Sequence, residues 1–272
     1  MVLEGKRTVN NRLFLKGAIL SAFGFVFLAW LLNTPAGLLG KADAIGYAVC
    51  HRIDLRSFFL GERQLPLCAR CSGMYLGALL GLLYQKMSGG RRRGSPPLFV
   101  ILMAAILVFA FSLDGINSLF SLIPVALHLY EPENTLRLIT GTGMGLAIAI
   151  ALFPAFNASV WRTADSRAAL DTWQKLAGLL LLAVVLDVLV LWDNPLILYP
   201  LALISAAGVI ILLTLIYTLM CLFIFKAENR YNRRIELLFP MLAGLTVALV
   251  QIGLLDLIRY VFTGTWEGFH LG

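Results

Sequence analysis

Chemistry in this chain is concentrated at Cys50-His51 and Cys68-Ala69-Arg70-Cys71, where three of the four cysteines and one of the three histidines fall within 22 residues. Thiolate sulfur and imidazole nitrogen are ligands that zinc takes readily, and a C-x-x-C pair supplies half of a tetrahedral set. Residues three apart at the start of a helix share a face, and the positive end of the helix dipole there favours thiolate. Cys68 and Cys71 are therefore expected as metal ligands, completed by Cys50, by His51 or by both. A three-ligand site leaves a position open for water or substrate, whereas a four-ligand site is closed and structural. The same thiols suit two other chemistries. A C-x-x-C on the oxidising side of a membrane can serve a quinone-linked dithiol oxidase, but such an oxidase relays electrons through a second pair, and here Cys50 alone is left on that side while Cys221 falls near the cytoplasmic end of a later span. A Cys68–Cys71 or Cys50–Cys71 disulfide that merely pins a loop is the third, and with it, or with a purely structural metal, the chain would be a non-enzymatic transport or assembly subunit.

The elements that must position these residues are hydrophobic. Of 272 residues, 60% are apolar and only 14% charged, and apolar runs of 17 to 30 residues recur along the chain, which is the pattern of bilayer spans and not of a soluble domain. An all-α, polytopic transmembrane bundle of about seven spans is expected, embedded in the lipid bilayer of the inner or plasma membrane. The spans are placed at 17–40, about 67–84, 97–114, 134–156, 176–192, 196–225 and 237–262. Residues 1–40 hold the N-terminal tail and first span, 41–156 a membrane domain with the cysteine motif, and 157–272 a three-helix segment. Residues 41–70 read as a polar loop, 115–133 as a partly apolar loop or interfacial helix, and Asp193-Asn194-Pro195 as a tight turn. The first span resembles a secretion signal, but its apolar run exceeds the usual length of such signals, so it is read as retained.

Charge sets the orientation. With the N-terminus in the cytoplasm, the clusters at 6–16, 86–93, 162–175 and 226–234 all face inward and carry fifteen of the 22 Lys and Arg residues. The net charge of +7 is thus a matter of topology and anionic headgroups, and nucleic-acid binding is set aside. The segment 41–70 breaks the pattern by keeping Lys41, Arg52, Arg56, Arg63 and Arg70 on the outer side. They either pair with Asp43, Asp54 and Glu62 or hold an anionic or lipid-linked ligand.

The same topology gathers further polar residues at the outer face. Asp114 ends the third span, and Asn134 and Arg137 begin the fourth. With the metal activating water or polarising a substrate, Asp114 is expected as acid/base or as a partner of the metal ligands, Arg137 beside it, and Arg52, Arg70 and Asn134 as contacts to substrate. Gly73, Gly77 and Gly81 on the second span and Gly141 and Gly145 on the fourth form small-residue stripes that predict close packing of these two helices. Inside the bilayer, Asp256 is expected to pair with Arg259 at i,i+3, and Asp187 with Arg137 or Arg259, or to be neutral. His128 is a candidate fourth ligand in the 115–133 loop, and His270 belongs to the tail. No glycine-rich phosphate loop, Ser-His-Asp arrangement or C-x-x-C-H haem motif is present.

Cys50-His51-Arg52, Arg56-Ser57-Phe58-Phe59, Gly61, Leu65 to Gly77, Asp114-Gly115 and Glu131 to Gly141 together resemble domain-of-unknown-function family 2085, an uncharacterised family of prokaryotic membrane proteins, over about residues 45–150. Pro132 stands where that family usually has Ser, and Ile116-Asn117 replaces a more polar pair. The family has no assigned activity, so the resemblance implies a boundary and a residue list, not a reaction.

Overall fold

The computed structural model describes residues 2–121 and 129–267, with side chains from Phe14 onward, so His128 and His270 lie outside the described residues. Eight α-helices carry the described chain: α1 Val2–Asn33, α2 Gly37–Val49, α3 Ala69–Gly89, α4 Leu98–Phe120, α5 Asn134–Val160, α6 Trp173–Leu191, α7 Pro195–Ile224 and α8 Leu238–Thr263. Between α2 and α3 lie a 3-10 turn, Asp54–Arg56, and a two-stranded hairpin of β1 Phe59–Leu60 and β2 Arg63–Gln64, whose turn needs the positive φ of Gly61 (65°).

Six helices are long and apolar enough to cross a membrane: α1 from Phe14, α4, α5, α6, α7 and α8 with the short turn before it. The protein is a helical membrane bundle. α3 is less apolar because it lies inside protein. Its glycines abut α5 in register, Gly73 on Leu138 and Thr142, Gly77 on Thr142 and Gly81 on Ala149, so α3 and α5 run parallel. Two parallel helices in contact over this length cross together, which makes α3 the seventh span. α5 is the centre of the bundle, with 61% of its span residues buried against 6% in α1 and 11% in α4, whose outer faces suit lipid.

The two ends of the bundle differ. At one, Arg91 lies over the Trp161 ring at 3.8 Å, Arg92 pairs with Asp171 at 2.9 Å, Arg162 N donates to Tyr231 O and Lys16 lies over Phe239 at 4.9 Å. All four basic clusters therefore share this end, as the charge pattern requires. Asn194 caps α7 by accepting from Leu196 N at 3.0 Å, with Pro195 as the first helical residue, which turns the chain at the opposite end.

Three expectations are corrected. The first helix stops at Asn33 and not at residue 40, and residues 37–49 form a second helix, so 41–49 is not a polar loop; the Asp43 carboxylate that makes this stretch look polar is engaged by Arg52 at 3.1 Å and Arg63 at 2.6 Å. α4 runs on to Phe120, so Asp114 sits within its last turns and not at its end. Asp256 and Arg259 form no close ion pair: Arg259 donates to the carbonyls of Tyr47 and Cys50, each at 2.6 Å, and stacks on the Tyr47 ring, while Asp256 is buried.

A Cβ at Gly145 would lie 2.1 Å from the Met74 carbonyl, whereas one at Gly253 would meet nothing within 4 Å. Gly145→Ala is expected to destabilise the protein by about 1–3 kcal/mol, because backbone must move. Gly253→Ala should be neutral or stabilising by up to about 1 kcal/mol, from helix propensity alone. Thermal unfolding in detergent checks both signs.

Candidate metal centre and its arginine neighbours

Three local features bring the cysteines together. Cys50 ends α2 as its C-cap, Cys68 is the N-cap of α3 and Cys71 lies in the first turn of α3. The hairpin folds the intervening chain back on itself, closed by Leu65 N to Phe58 O at 3.0 Å and by Gln64 Nε2 to Arg52 O at 2.9 Å and Ser57 Oγ at 2.8 Å. α2 then lies directly on the approach to α3: at Gly46 a Cβ would stand 1.8 Å from the Pro66 carbonyl, so only glycine permits this contact.

The result is a group of three thiols, Cys50, Cys68 and Cys71, whose sulfur atoms all lie within 4.8 Å of one another, none joined in a disulfide. Tetrahedral zinc with Zn–S near 2.3 Å sets its sulfurs about 3.8 Å apart, so the group needs only slight closure to hold an ion. Cys50 is buried. Its sulfur receives hydrogen bonds from the Cys68 and Cys71 thiols and from the Cys68 backbone N–H at 3.3 Å, which together hold the Cys50 thiol well below its ordinary value. Cys68, giving its hydrogen to Cys50, is pushed up to about 11. The Arg259 guanidinium on the Cys50 carbonyl adds positive potential there. His51 is exposed and stands outside the three-thiol group, with its carbonyl accepting from Arg259 at 3.2 Å. Cys221 lies at the opposite end of the bundle, one residue before the Leu222 that packs with Trp161.

Beside the thiols is a second polar cluster. Asp114, 1% exposed, pairs with Arg70, and its carboxylate also accepts from Tyr130 Oη at 3.0 Å and Thr140 Oγ1 at 3.3 Å. Removing one partner of such a buried pair costs about 3–5 kcal/mol, so the arrangement fixes where Arg70 lies. Burial and the hydrogen bond to Asp114 push the Tyr130 phenol up, which keeps it a donor. Arg137 Nη1 donates to Asn134 Oδ1 at 3.0 Å, and Asn134 Nδ2 to Ser57 O at 3.3 Å. Arg70, Asp114, Asn134 and Arg137 therefore form one neighbourhood. Arg52 belongs to another, buried at positive φ (51°) and held by Asp43.

Sequence reasoning named Arg56 only among the outer arginines, and did not single out Tyr130, Ser118, Thr140 or the cap made by Arg259. Arg56 and Thr140 both stand in the motif segments that carry the family resemblance, which was the available signal; nothing in local spacing pointed to the others. Within the bundle, Asp187 accepts from Thr142 Oγ1 at 2.6 Å, so its partner is a threonine of α5 and not an arginine.

Residues 50–151 match the family model described as predicted membrane protein (DUF2085), and they contain every residue of both clusters except Arg259. An uncharacterised protein of Methanocaldococcus jannaschii is 29% identical over 119 residues, 44% of this chain and 70% of that protein. An uncharacterised protein of Methanothermobacter thermautotrophicus is 30% identical over 102 residues, 38% of this chain and 82% of that protein. No solved structure matches the chain. With its thiols, its glycine-packed α3 and α5 and its polar neighbourhood all inside the matched stretch, the chain belongs to the DUF2085 family of predicted membrane proteins.

Proposed function

We propose that this protein carries a zinc site held by Cys50, Cys68 and Cys71 at the extracytoplasmic end of a plasma-membrane bundle, and that it acts there on an anionic or lipid-linked substrate. The observation that carries the reading is the approach of three sulfurs, from the end of one helix and the start of another, to within 4.8 Å of one another. Three thiolates are a soft donor set that suits zinc, and they leave a fourth position for water, for substrate or for His51. A bound zinc would supply Lewis acidity and lower the pKa of a water in that position.

The residues around it have separate tasks. Asp114 holds Arg70 in place, with Tyr130 and Thr140 fixing the carboxylate. Arg70 and Arg137 present positive charge to the substrate, and Asn134 aligns Arg137. Arg259 braces the end of α2 that carries Cys50. The orientation follows from the basic clusters gathered at the opposite end, which the positive-inside rule assigns to the cytoplasm.

Elemental analysis of the purified full-length chain, combined with thiol titration before and after chelation, tests the site. About one zinc per chain is expected, with three further thiols becoming reactive once it is removed and with zinc lost in Cys68→Ser. A chain without metal whose Cys68 and Cys71 titrate as a reducible disulfide would overturn the reading in favour of thiol oxidoreduction or a structural bridge. Reporter fusions at residues 90 and 230 test the orientation. Both are expected in the cytoplasm, and an extracellular signal from either contradicts it.

A further inference from the structure

We propose that Arg56, Arg70 and Arg137 form a binding site for a phosphate group in its dianionic form. This rests on the anionic-substrate part of the function proposed above and is independent of the metal. The three guanidinium groups come from three elements, the 3-10 turn Asp54–Arg56, α3 and α5. Two of them meet at one residue: Arg56 Nη2 donates to Ser118 O at 3.2 Å and Arg70 Nη2 to Ser118 Oγ at 3.0 Å. The third is tied in through Asn134, which accepts from Arg137 and donates to the carbonyl of Ser57, the residue after Arg56. Arg137 senses the charges of both other arginines.

Charge within this cluster does not balance. Asp114 is the one carboxylate that pairs with any of the three, and among the described residues neither Arg56 nor Arg137 takes part in an ion pair. Asp114 gives its hydrogen bonds to Arg70, Thr140 and Tyr130, and reaches Arg56 and Arg137 only through its charge. Three guanidinium groups thus share one carboxylate, with Cys68 as the other negative group that acts on Arg56 and Arg137, and the excess of positive charge suits an anion such as a phosphate monoester. The crowding has a measurable consequence at Arg56, whose guanidinium is held below its ordinary value by burial and by Arg70. Arg137 is only 6% exposed, and its Nε is buried without a hydrogen-bond partner. A buried guanidinium with no counter-ion and a spare N–H is costly unless an anion supplies both.

Geometry selects phosphate over a simple monovalent ion. Planar guanidinium forks match phosphate oxygens, and with the Nε/Nη2 edge of Arg70 held by Asp114, the forks of Arg56 and Arg137 are the ones left to grip them. α3 and α5 run parallel and both begin at this end, at Ala69 and Asn134, so two helix N-termini direct positive potential toward the same region. The phosphate can be a lipid headgroup or a soluble phosphate, and the two are separable by experiment.

Binding is measured on the full-length chain in zwitterionic detergent, with inorganic phosphate as one probe and phosphatidic acid in phosphatidylcholine nanodiscs as the other. Saturable binding is expected to at least one probe; phosphate alone suffices for a soluble source, and phosphatidic acid alone marks a lipid source. Arg56→Gln and Arg137→Gln are each expected to weaken it about tenfold or more, while Arg234→Gln, at the opposite end, leaves it unchanged. No saturable binding in either arm, or equal loss in Arg234→Gln, overturns the proposal. Because the first two variants can also perturb folding, the wild-type protein supplies a second test. Phosphate should slow phenylglyoxal modification of Arg56 and Arg137 but not of Arg234, as read by mass spectrometry, and equal rates overturn the proposal. Both arms are repeated after zinc removal. Phosphate binding that survives chelation separates this site from the metal, and failure to bind phosphate in protein that retains zinc rejects this inference alone.

Discussion

The backbone-to-backbone contact of α3 with α5 is the constraint on which the rest of the structure depends. A Cβ at Gly73, Gly77, Gly141 or Gly145 would fall between 2.1 and 2.4 Å from a carbonyl oxygen of the facing helix, so the four glycines together allow a separation that no larger residue permits. In a bilayer, apolar burial gives little preference for one helix neighbour over another, and close approach through small residues with dense van der Waals contact takes its place. Gln85 adds a specific lock farther along, donating to Ala149 O at 2.9 Å. Because the helices are parallel, this one contact sets their starts side by side, and it is at those starts that Cys68, Cys71, Arg70 and Arg137 stand.

The second requirement is to bring Cys50 back to that point. α2 delivers it through the Gly46–Pro66 contact, and Arg259 of α8 satisfies the carbonyls at the end of α2 that would otherwise point into a poorly solvated region. The thiol group and the arginine cluster thus use different parts of one scaffold. The thiols depend on α2, α3 and α8; the arginines depend on the 3-10 turn, α3, α4 and α5. Arg70 stands between the two thiols of the α3 start, which makes α3 the element common to both and explains why its residues cannot be apolar throughout.

Much of this architecture was legible in the residues. The apolar runs and the spacing of the basic clusters were enough to anticipate a helical membrane bundle with those clusters at one end, and the glycine stripes anticipated the α3–α5 contact. What escaped depends on partners remote in sequence. Residues 41–49 looked polar because Lys41 and Asp43 were weighed without Arg52 and Arg63, which neutralise Asp43. Asp256 and Arg259 looked like a pair because i,i+3 spacing permits one, yet the carbonyls at the end of α2 take the guanidinium instead. Asp187 called for a cation or a neutral carboxyl, and a threonine hydroxyl meets it in place of the cation. Local spacing gives the possible contacts of a residue, and only the packing of other helices selects among them.

The central claim is that Cys50, Cys68 and Cys71 act as one ligand set at a shared helix start. Zinc K-edge X-ray absorption on the purified full-length chain reads that set directly. The account predicts about three sulfur neighbours at about 2.3 Å, with the remaining position taken by oxygen or nitrogen. A coordination sphere of oxygen and nitrogen alone, or a protein with no bound zinc to measure, contradicts it.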